Sequence, residues 1–286
     1  MLRIELDIFS GRPNPSWILS PKEERELVDR VKADPSLMLP VTAATGGLGY
    51  RGYIVTREKE GEESQGKAAL PSSFRLGGEP LDKDAATALW LLDTSEKADT
   101  EVDDFLRGAA AETIRQPPAR LGKLAPGQGP EAQDKGSLVA CASNYLTSST
   151  DFSFWNGSTY IRKNNCYNFA ANHRTNTFAQ PGRISGHPIT GLTCSAVASS
   201  AEWDGWFNGC QAANNLTIAL VIWPGVDFHF YRKVANGVWG HKPGQTAARN
   251  YDNSGVVITN PQTCNRGNYT SFCGYWYADN NIIMVQ

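Results

Sequence analysis

The stretch of sequence that decides the fold is residues 216–242, which read LTIALVIWPGVDFHFYRKVANGVWGHK. An apolar run comes first, and Pro224-Gly225 ends it. Apolar and aromatic residues then recur between turn residues, a pattern typical of strands joined by short loops. We predict strands in quick succession at 216–223, 226–234, 238–242, 255–259 and 275–285.

Two helices are predicted before these strands. Asn164 or Asn165 is a suitable N-cap for a helix from residue 166 to about 174, and a second helix is predicted from 193 to about 207. Helices that precede an antiparallel sheet indicate an α+β domain. We therefore assign residues 137–286 to a C-terminal α+β domain.

The first part of the chain has its own pattern. Ser20, Pro21 and Glu23 form a capping box with proline at the first helical position, which predicts a helix start. Residues 1–115 indicate a small α+β domain of unknown role, and the proline- and glycine-rich segment 116–136 is interpreted as a linker. The elements predicted for the first domain are strands at 2–9, 51–56 and 73–76, a turn-rich loop at 10–17, and helices beginning at residues 21, 83 and 100.

Composition excludes several classes of function. The 286 residues are 41% hydrophobic and 20% charged, which is enough for a sizeable core. The formal net charge of −2 supplies no basic field, so we expect neither nucleic acid nor a membrane surface as partner. The run 218–223 is far shorter than the roughly 20 apolar residues that span a bilayer. The N-terminus lacks a Sec signal pattern, so we expect synthesis in the cytoplasm and a folded protein that begins at Met1.

The six cysteines leave the redox compartment open. They lack the paired spacing of a structural zinc site. Cys194 with Cys210, and Cys264 with Cys273, lie close enough in sequence to bridge, but spacing alone establishes neither pair. Without a signal peptide, free buried thiols are the expectation.

Cys166 lies in the stretch KNNCYNFAANHRTNTFAQPG, residues 163–182. In the first turn of a helix, free backbone N–H groups and the helix dipole favour an anion, which lowers the pKa of a thiol and activates it as a nucleophile. The alternative is that Cys166 packs as a small apolar residue with Phe169, Ala170 and His173.

His229 is the candidate base. By the two-residue period of a strand, Asp227, His229 and Tyr231 share one face, and the phenylalanines beside them share the other. An imidazole on the more polar face is well placed to accept a proton. The alternative is a core histidine that is hydrogen-bonded to a neighbouring carbonyl.

The loop at 235–237 decides whether His241 meets His229. A two-residue turn would place the two histidines on opposite faces. A three-residue loop would pair Val234 with Val238 and would place Tyr231 opposite His241, so that both histidines share a face. The catalytic hypothesis therefore predicts the three-residue loop.

The segments NNCYNF, DFHFYR and GVWGHKPG, in this order, resemble the NlpC-type branch of papain-like cysteine peptidases. The resemblance implies a papain-like fold and a cysteine peptidase or amidase, with Cys166 as nucleophile, His229 as general base and His241 as the residue that orients the imidazole. It also implies Tyr160 and the backbone N–H of Cys166 at the oxyanion. The acidic residue that usually precedes the cysteine is Asn165 here, and Ser-Gly after it is replaced by Tyr-Asn, so substrate specificity does not transfer.

The resemblance implies further features. No metal or organic cofactor is required, and the substrate is a peptide or peptidoglycan-like polymer. A cell-wall substrate would then require non-classical export or delivery as an effector or toxin. Asp252 and Asn253 are reserve orienters of the imidazole or, alternatively, residues of an Asx turn. Segments such as HKPGQTAARNYDNSG also resemble uncharacterised bacterial proteins.

Other readings remain open. A non-catalytic glycan- or peptide-binding module is the main alternative, and an acyltransferase is another. A zinc site of Cys166, His229 and His241 is conceivable, although no zinc motif accompanies these residues. His173 is a cleft or surface residue, and His187 carries no signal. Four tryptophans have two alternative roles: they line a glycan or peptide groove, or they pack in the core. They are Trp203, Trp206, Trp239 and Trp276.

Overall fold

The chain forms two compact units, each combining helices with an antiparallel sheet. The computed structural model describes residues 1–42, 47–58, 70–78, 82–98, 100–115, 151–210, 216–235 and 237–286. The first unit comprises Met1–Ile8 and Asn14–Pro118, and the second comprises Phe9–Pro13 and Ala119–Gln286. The α+β class is confirmed. The linker predicted at 116–136 lies outside the described residues.

The first unit is built on a four-stranded antiparallel sheet in the order β2-β1-β3-β4. The predicted capping box at Ser20 and Glu23 is confirmed at the start of its first helix. The elements are β1 (Leu2–Leu6), β2 (Ser16–Ile18), α1 (Pro21–Ala33), β3 (Tyr53–Arg57), β4 (Ser73–Leu76), α2 (Asp82–Thr94) and α3 (Asp104–Arg115). Strand β2 was missed, because its turn-rich surroundings hide Trp17, which pairs with Ile4 and is buried.

A buried ion triad stabilises the first unit. The carboxylate of Asp7 lies 2.7 Å from a guanidinium nitrogen of Arg51 and 2.8 Å from one of Arg75. Burial raises the pKa of Asp7, but the two guanidiniums outweigh burial and hold it well below its usual range. The carboxylate therefore stays charged, and removing it would leave two arginines buried without their counterion.

The second unit contains the candidate site. Its sheet is four-stranded and antiparallel, in the order β7-β6-β5-β8. The elements are α4 (Ser153–Asn156), α5 (Cys166–Ala170), α6 (Cys194–Trp203), β5 (Leu216–Trp223), β6 (Asp227–Ala235), β7 (Val238–His241) and β8 (Ser271–Ala278).

Several predicted boundaries in this unit are wrong for local reasons. Helix α5 ends at Ala170 rather than near 174, because Asn172 adopts a left-handed φ of 56°. The predicted strand 255–259 does not form, and this region makes only an isolated bridge between Tyr251 and Val257. Strand β8 begins and ends earlier than 275–285, since a turn at Asp279 follows it.

A short N-terminal segment, Phe9–Pro13, belongs to the second unit. The backbone N–H groups of Ser10, Gly11 and Arg12 donate to the buried carboxylate of Asp227, at 2.6, 3.2 and 3.1 Å. Gly11 also packs directly on Phe228, whose ring would lie 2.3 Å from an added Cβ atom. Asp227 and Gly11 therefore hold together two segments that lie far apart in sequence.

The disulfide pattern differs from both predicted pairings. Cys194 of α6 is bonded to Cys273 of β8, with their Cα atoms 5.3 Å apart. Cys210 is also disulfide-bonded, and Cys166 and Cys264 are free. The expectation of free thiols is therefore wrong for Cys194 and Cys273. Their sequence separation of 79 residues explains why spacing did not reveal the bond.

We expect the Cys194→Ala/Cys273→Ala double variant to lose roughly 3–5 kcal/mol of the free energy of unfolding, because the bond closes a long loop in the unfolded chain. Urea denaturation with and without the substitutions measures the loss. Cys264→Ala, which removes a free thiol, is the matched control. Equal stability of the double variant and the wild type would show that the bond contributes nothing to the fold.

Candidate functional site

The register of β6 and β7 brings the two histidines together. Tyr231 lies opposite His241, which is the register required by the catalytic hypothesis. The three-residue loop that was predicted to produce this register is wrong, since Ala235 rather than Val234 pairs with Val238. The register shifts between residues 233 and 235, where one extra residue of β6 forms a bulge.

The histidines form a buried hydrogen-bonded pair. Nε2 of His229 lies 2.9 Å from Nδ1 of His241, and Nε2 of His241 lies 3.0 Å from the carbonyl oxygen of Tyr251. Because a carbonyl only accepts, Nε2 of His241 donates and its Nδ1 accepts from His229. Tyr231 stacks on His241 with ring centroids 5.1 Å apart. His241 therefore fixes the orientation of the His229 ring.

Cys166 lies on the other face of the sheet. The face that carries Phe228, Phe230 and Arg232, here called the Phe face, packs on α5, and Cys166 belongs to its apolar cluster. The face that carries Asp227, His229 and Tyr231 is here called the His face. Because neighbouring side chains of a strand point to opposite faces, Cys166 packs with the Phe face of β6, whereas His229 points to the face that carries Tyr231 and His241.

The environment of Cys166 suits packing rather than attack. Its side chain is fully buried. Burial raises the pKa of the thiol far above its ordinary value and Asp227 adds to the rise, whereas the Phe230 backbone and the Lys242 ammonium oppose it only in part. The helix start was expected to lower this pKa, but α5 has only five residues and burial dominates. The thiol is therefore held in its protonated form.

Asn165 has a structural role at the same helix start. It is the N-cap, and its side-chain oxygen accepts from the N–H groups of Tyr167 and Asn168, each at 3.1 Å. Its side-chain nitrogen donates to the carbonyl oxygens of Gly11 and Ala179. Because its side-chain oxygen and nitrogen are both hydrogen-bonded to protein groups, Asn165 joins three segments of the chain.

Tyr160 makes a cation–π contact with an arginine. The guanidinium of Arg174 lies 3.7 Å from the centre of the Tyr160 ring and 3.9 Å from that of Phe154. This cation–π sandwich occupies a face of the Tyr160 ring. His173 is likewise structural, because its Nε2 lies 3.0 Å from the carbonyl oxygen of Asn280.

Asp252 and Asn253 form a turn. The carboxylate of Asp252 accepts from the backbone N–H groups of Ser254, Val256 and Asn265. The backbone N–H of Asn253 donates to the carbonyl oxygen of Asn265. These bonds correspond to the Asx-turn alternative, and it is the Tyr251 carbonyl that contacts His241 instead.

Cys264 is a free thiol for which the sequence predicted no functional role. Its sulfur lies 3.9 Å from the hydroxyl of Tyr231, on the His face, and it is only partly buried. Burial raises the pKa of Cys264 to about 11. Residues 260–270 have no strand or helix period, so nothing in the sequence placed this cysteine beside the histidines.

Among the residues that the structure describes, neither a group of metal ligands nor a membrane-spanning helix is found. In the described part of the chain, no group of three or more His, Cys, Asp or Glu side chains is arranged to hold a metal ion. The zinc set of Cys166, His229 and His241 is divided between the two faces of the sheet. None of the helices among the described residues is long and apolar enough to cross a bilayer.

Comparison with known proteins identifies a relative. The chain is 48% identical over 123 residues to insoluble matrix shell protein 1 of Ruditapes philippinarum, a match that covers 42% of this chain and 83% of that protein. The chain therefore belongs to the same family as insoluble matrix shell protein 1. No family model matches the chain. No solved structure matches it either, so the papain-like part of the fold prediction has no support from a structural neighbour.

These comparisons correct the sequence-based identification. The relative is named as a matrix shell protein of a mollusc, and not as an NlpC-type or other cysteine hydrolase, and it is not bacterial. The resemblance rested on three short segments around residues 166, 229 and 241. Small polar and aromatic residues at strand and helix starts recur in unrelated proteins, so such segments do not establish descent.

We expect iodoacetamide to label Cys264 at least about tenfold faster than Cys166 in the native protein at pH 8, because only the first thiol is accessible to the reagent. Peptide mass mapping after timed quenching measures both rates. Cys166→Ala provides the background for Cys264. Rapid, selective labelling of Cys166 at pH 6 that slows in His229→Ala would contradict this assignment and would restore the nucleophile hypothesis.

Proposed function

We propose that this member of the insoluble matrix shell protein 1 family is a non-catalytic module that binds a glycan of an extracellular matrix. The observation that carries the proposal is a flat aromatic platform on the surface of the second unit. It consists of Trp203, the last residue of α6, and His187. Their ring centroids are 3.7 Å apart and their planes differ by 3°.

The platform is exposed at the protein surface. Trp203 is 56% exposed, whereas Trp206, Trp239 and Trp276 are at least 93% buried and pack in the core. A flat, exposed indole offers an apolar surface on which a ligand can stack. One face of the indole rests on His187, and its exposed surface is available to a ligand.

Hydrogen bonds of the residue next to Trp203 and a tight loop hold the platform in place. The buried carboxylate of Asp204 accepts from the N–H of Gly182 at 2.7 Å and from the hydroxyl of Tyr167 at 2.7 Å. Gly182 has a left-handed φ of 75°, and a Cβ there would lie 1.8 Å from the His187 carbonyl oxygen. The tight loop therefore presents His187 over Trp203 without rearrangement, which favours binding by pre-organisation.

The chemistry of the platform suits a sugar ring. The apolar C–H face of a pyranose stacks on a flat indole, and its hydroxyl groups need polar partners at the edge. Nδ1 of His187 lies 2.9 Å from the Ser185 carbonyl oxygen and must donate to it, so Nε2 carries the lone pair that accepts from a hydroxyl. The name of the relative, an insoluble matrix protein, supports a polymer as the partner.

The disulfide between Cys194 and Cys273 supports a location outside the reducing cytoplasm. Such bonds form and persist in oxidising compartments. The bond joins α6, which carries Trp203, to the edge strand β8. A matrix protein that must keep its binding surface in place over long times gains from this cross-link.

We expect Trp203→Ala to reduce retention on an insoluble glycan, such as chitin or cellulose, by about tenfold, because the stacking surface is lost. Co-sedimentation over a range of glycan concentrations measures the affinity. Phe207→Ala is the matched control, since Phe207 is exposed but is not stacked on His187. The glycan proposal fails if the wild type is not retained or if both variants behave alike, and retention on a peptide matrix instead would favour the peptide-binding alternative.

A further inference from the structure

Arg232 is a fully buried arginine with no acidic partner among the described residues. Its Nη1 donates to the carbonyl oxygen of Phe169 at 2.6 Å, and its guanidinium lies 4.2 Å from the centre of the Phe169 ring. In the same part of the chain, neither Nε nor Nη2 of Arg232 has a hydrogen-bond partner, although both atoms are buried. Burial alone lowers the pKa of Arg232 to about 9. Burying a cation without a counter-charge is unfavourable.

The two unpaired nitrogens define the kind of partner that is missing. Nε–H and one N–H of Nη2 lie on the same edge of the guanidinium and point in parallel, with the spacing of two oxygens of a carboxylate, sulfate or phosphate. Nη1, on the other side, is occupied by Phe169. The edge of Arg232 that suits bidentate recognition is thus the edge for which the described residues offer no partner.

A second unpaired donor lies near the same aromatic ring. Nε1 of Trp155 is buried and has no hydrogen-bond partner among the described residues, and the Trp155 and Phe169 ring centroids are 5.4 Å apart. Both residues contact the Phe169 ring, and a group rich in acceptors would satisfy the buried donors of each. The residues around this ring, here called the Phe169 cluster, are Trp155, Phe169, Val234 and Ala248, with Phe152, Phe154 and Val238 packed at its partly buried rim.

We propose that the Phe169 cluster binds a small oxyanion, with Arg232 as the bidentate cationic partner and the indole N–H of Trp155 as an additional donor. A water molecule would satisfy single N–H groups but would leave the charge uncompensated. The rim of the cluster at Phe152, Phe154 and Val238 is only partly buried. This site is separate from the Trp203 platform and does not depend on the glycan proposal.

The wild-type protein provides the first test. Sodium sulfate, sodium phosphate and sodium acetate are titrated at constant ionic strength against sodium chloride, and the unfolding temperature is followed. Because a ligand of the folded state stabilises it by RT ln(1 + [L]/Kd), a bound anion raises the unfolding temperature logarithmically, with most of the rise per unit concentration at low concentration. Sulfate and phosphate also stabilise proteins non-specifically, but that effect grows in proportion to concentration. A rise that is only proportional to concentration, or no rise beyond chloride, would overturn the proposal.

Variants connect the effect to the site. Arg232→Lys keeps a cation but lacks the parallel N–H pair, and we expect it to weaken anion binding at least about tenfold. Trp155→Phe keeps an aromatic ring and removes the indole N–H, so we expect it to weaken anion binding severalfold. Arg183→Lys, at an exposed arginine of the same unit, is the control and should match the wild type. If Arg232→Lys does not fold, the logarithmic rise in the wild type and its displacement to higher anion concentration in Trp155→Phe decide. The same concentration dependence in every folded variant contradicts the site.

Discussion

Strand β6 is buried on both faces, and the two-residue alternation of its side chains decides what each face of the second unit can do. Phe228 and Phe230 enter the apolar cluster with Cys166, while His229 and Tyr231 point the other way. No local adjustment moves a side chain of a paired central strand to the opposite face without a shift of register. The packing of Cys166 with the phenylalanines, and the pairing of His229 with His241, follow from this constraint.

The polar groups of the second unit are mostly engaged in joining segments that are distant in sequence. Asp227 binds the backbone of an N-terminal loop, and Asp204 binds a loop beside the Trp203 platform. The ammonium of Lys242 donates to the carbonyl oxygens of Ile161, Asn164 and Gly244. Buried polar groups paired in this way fix one arrangement of loops on the sheet. A rigid scaffold of this kind suits a protein that presents a surface.

Two features stand apart from this pattern of paired groups. Trp203 exposes an aromatic ring that the core does not use, and Arg232 buries a charge for which the described residues supply no acidic partner. Each lies where its surroundings are well ordered by other contacts, the first above Asp204 and the second on Phe169. Structures tolerate such costs where a ligand compensates for them.

The amino-acid sequence determined local structure well. The strands around 218–230, the capping box at Ser20 and the N-cap at Asn165 were predicted from period and capping chemistry, which act over a few neighbouring residues. The register at His241 was also foreseen as one of two outcomes. Only the tertiary structure decided which face α5 covers, which cysteine bonds Cys194 and which tryptophan stays exposed. These depend on contacts between residues tens to hundreds of positions apart, and a single sequence carries no periodic signal for them.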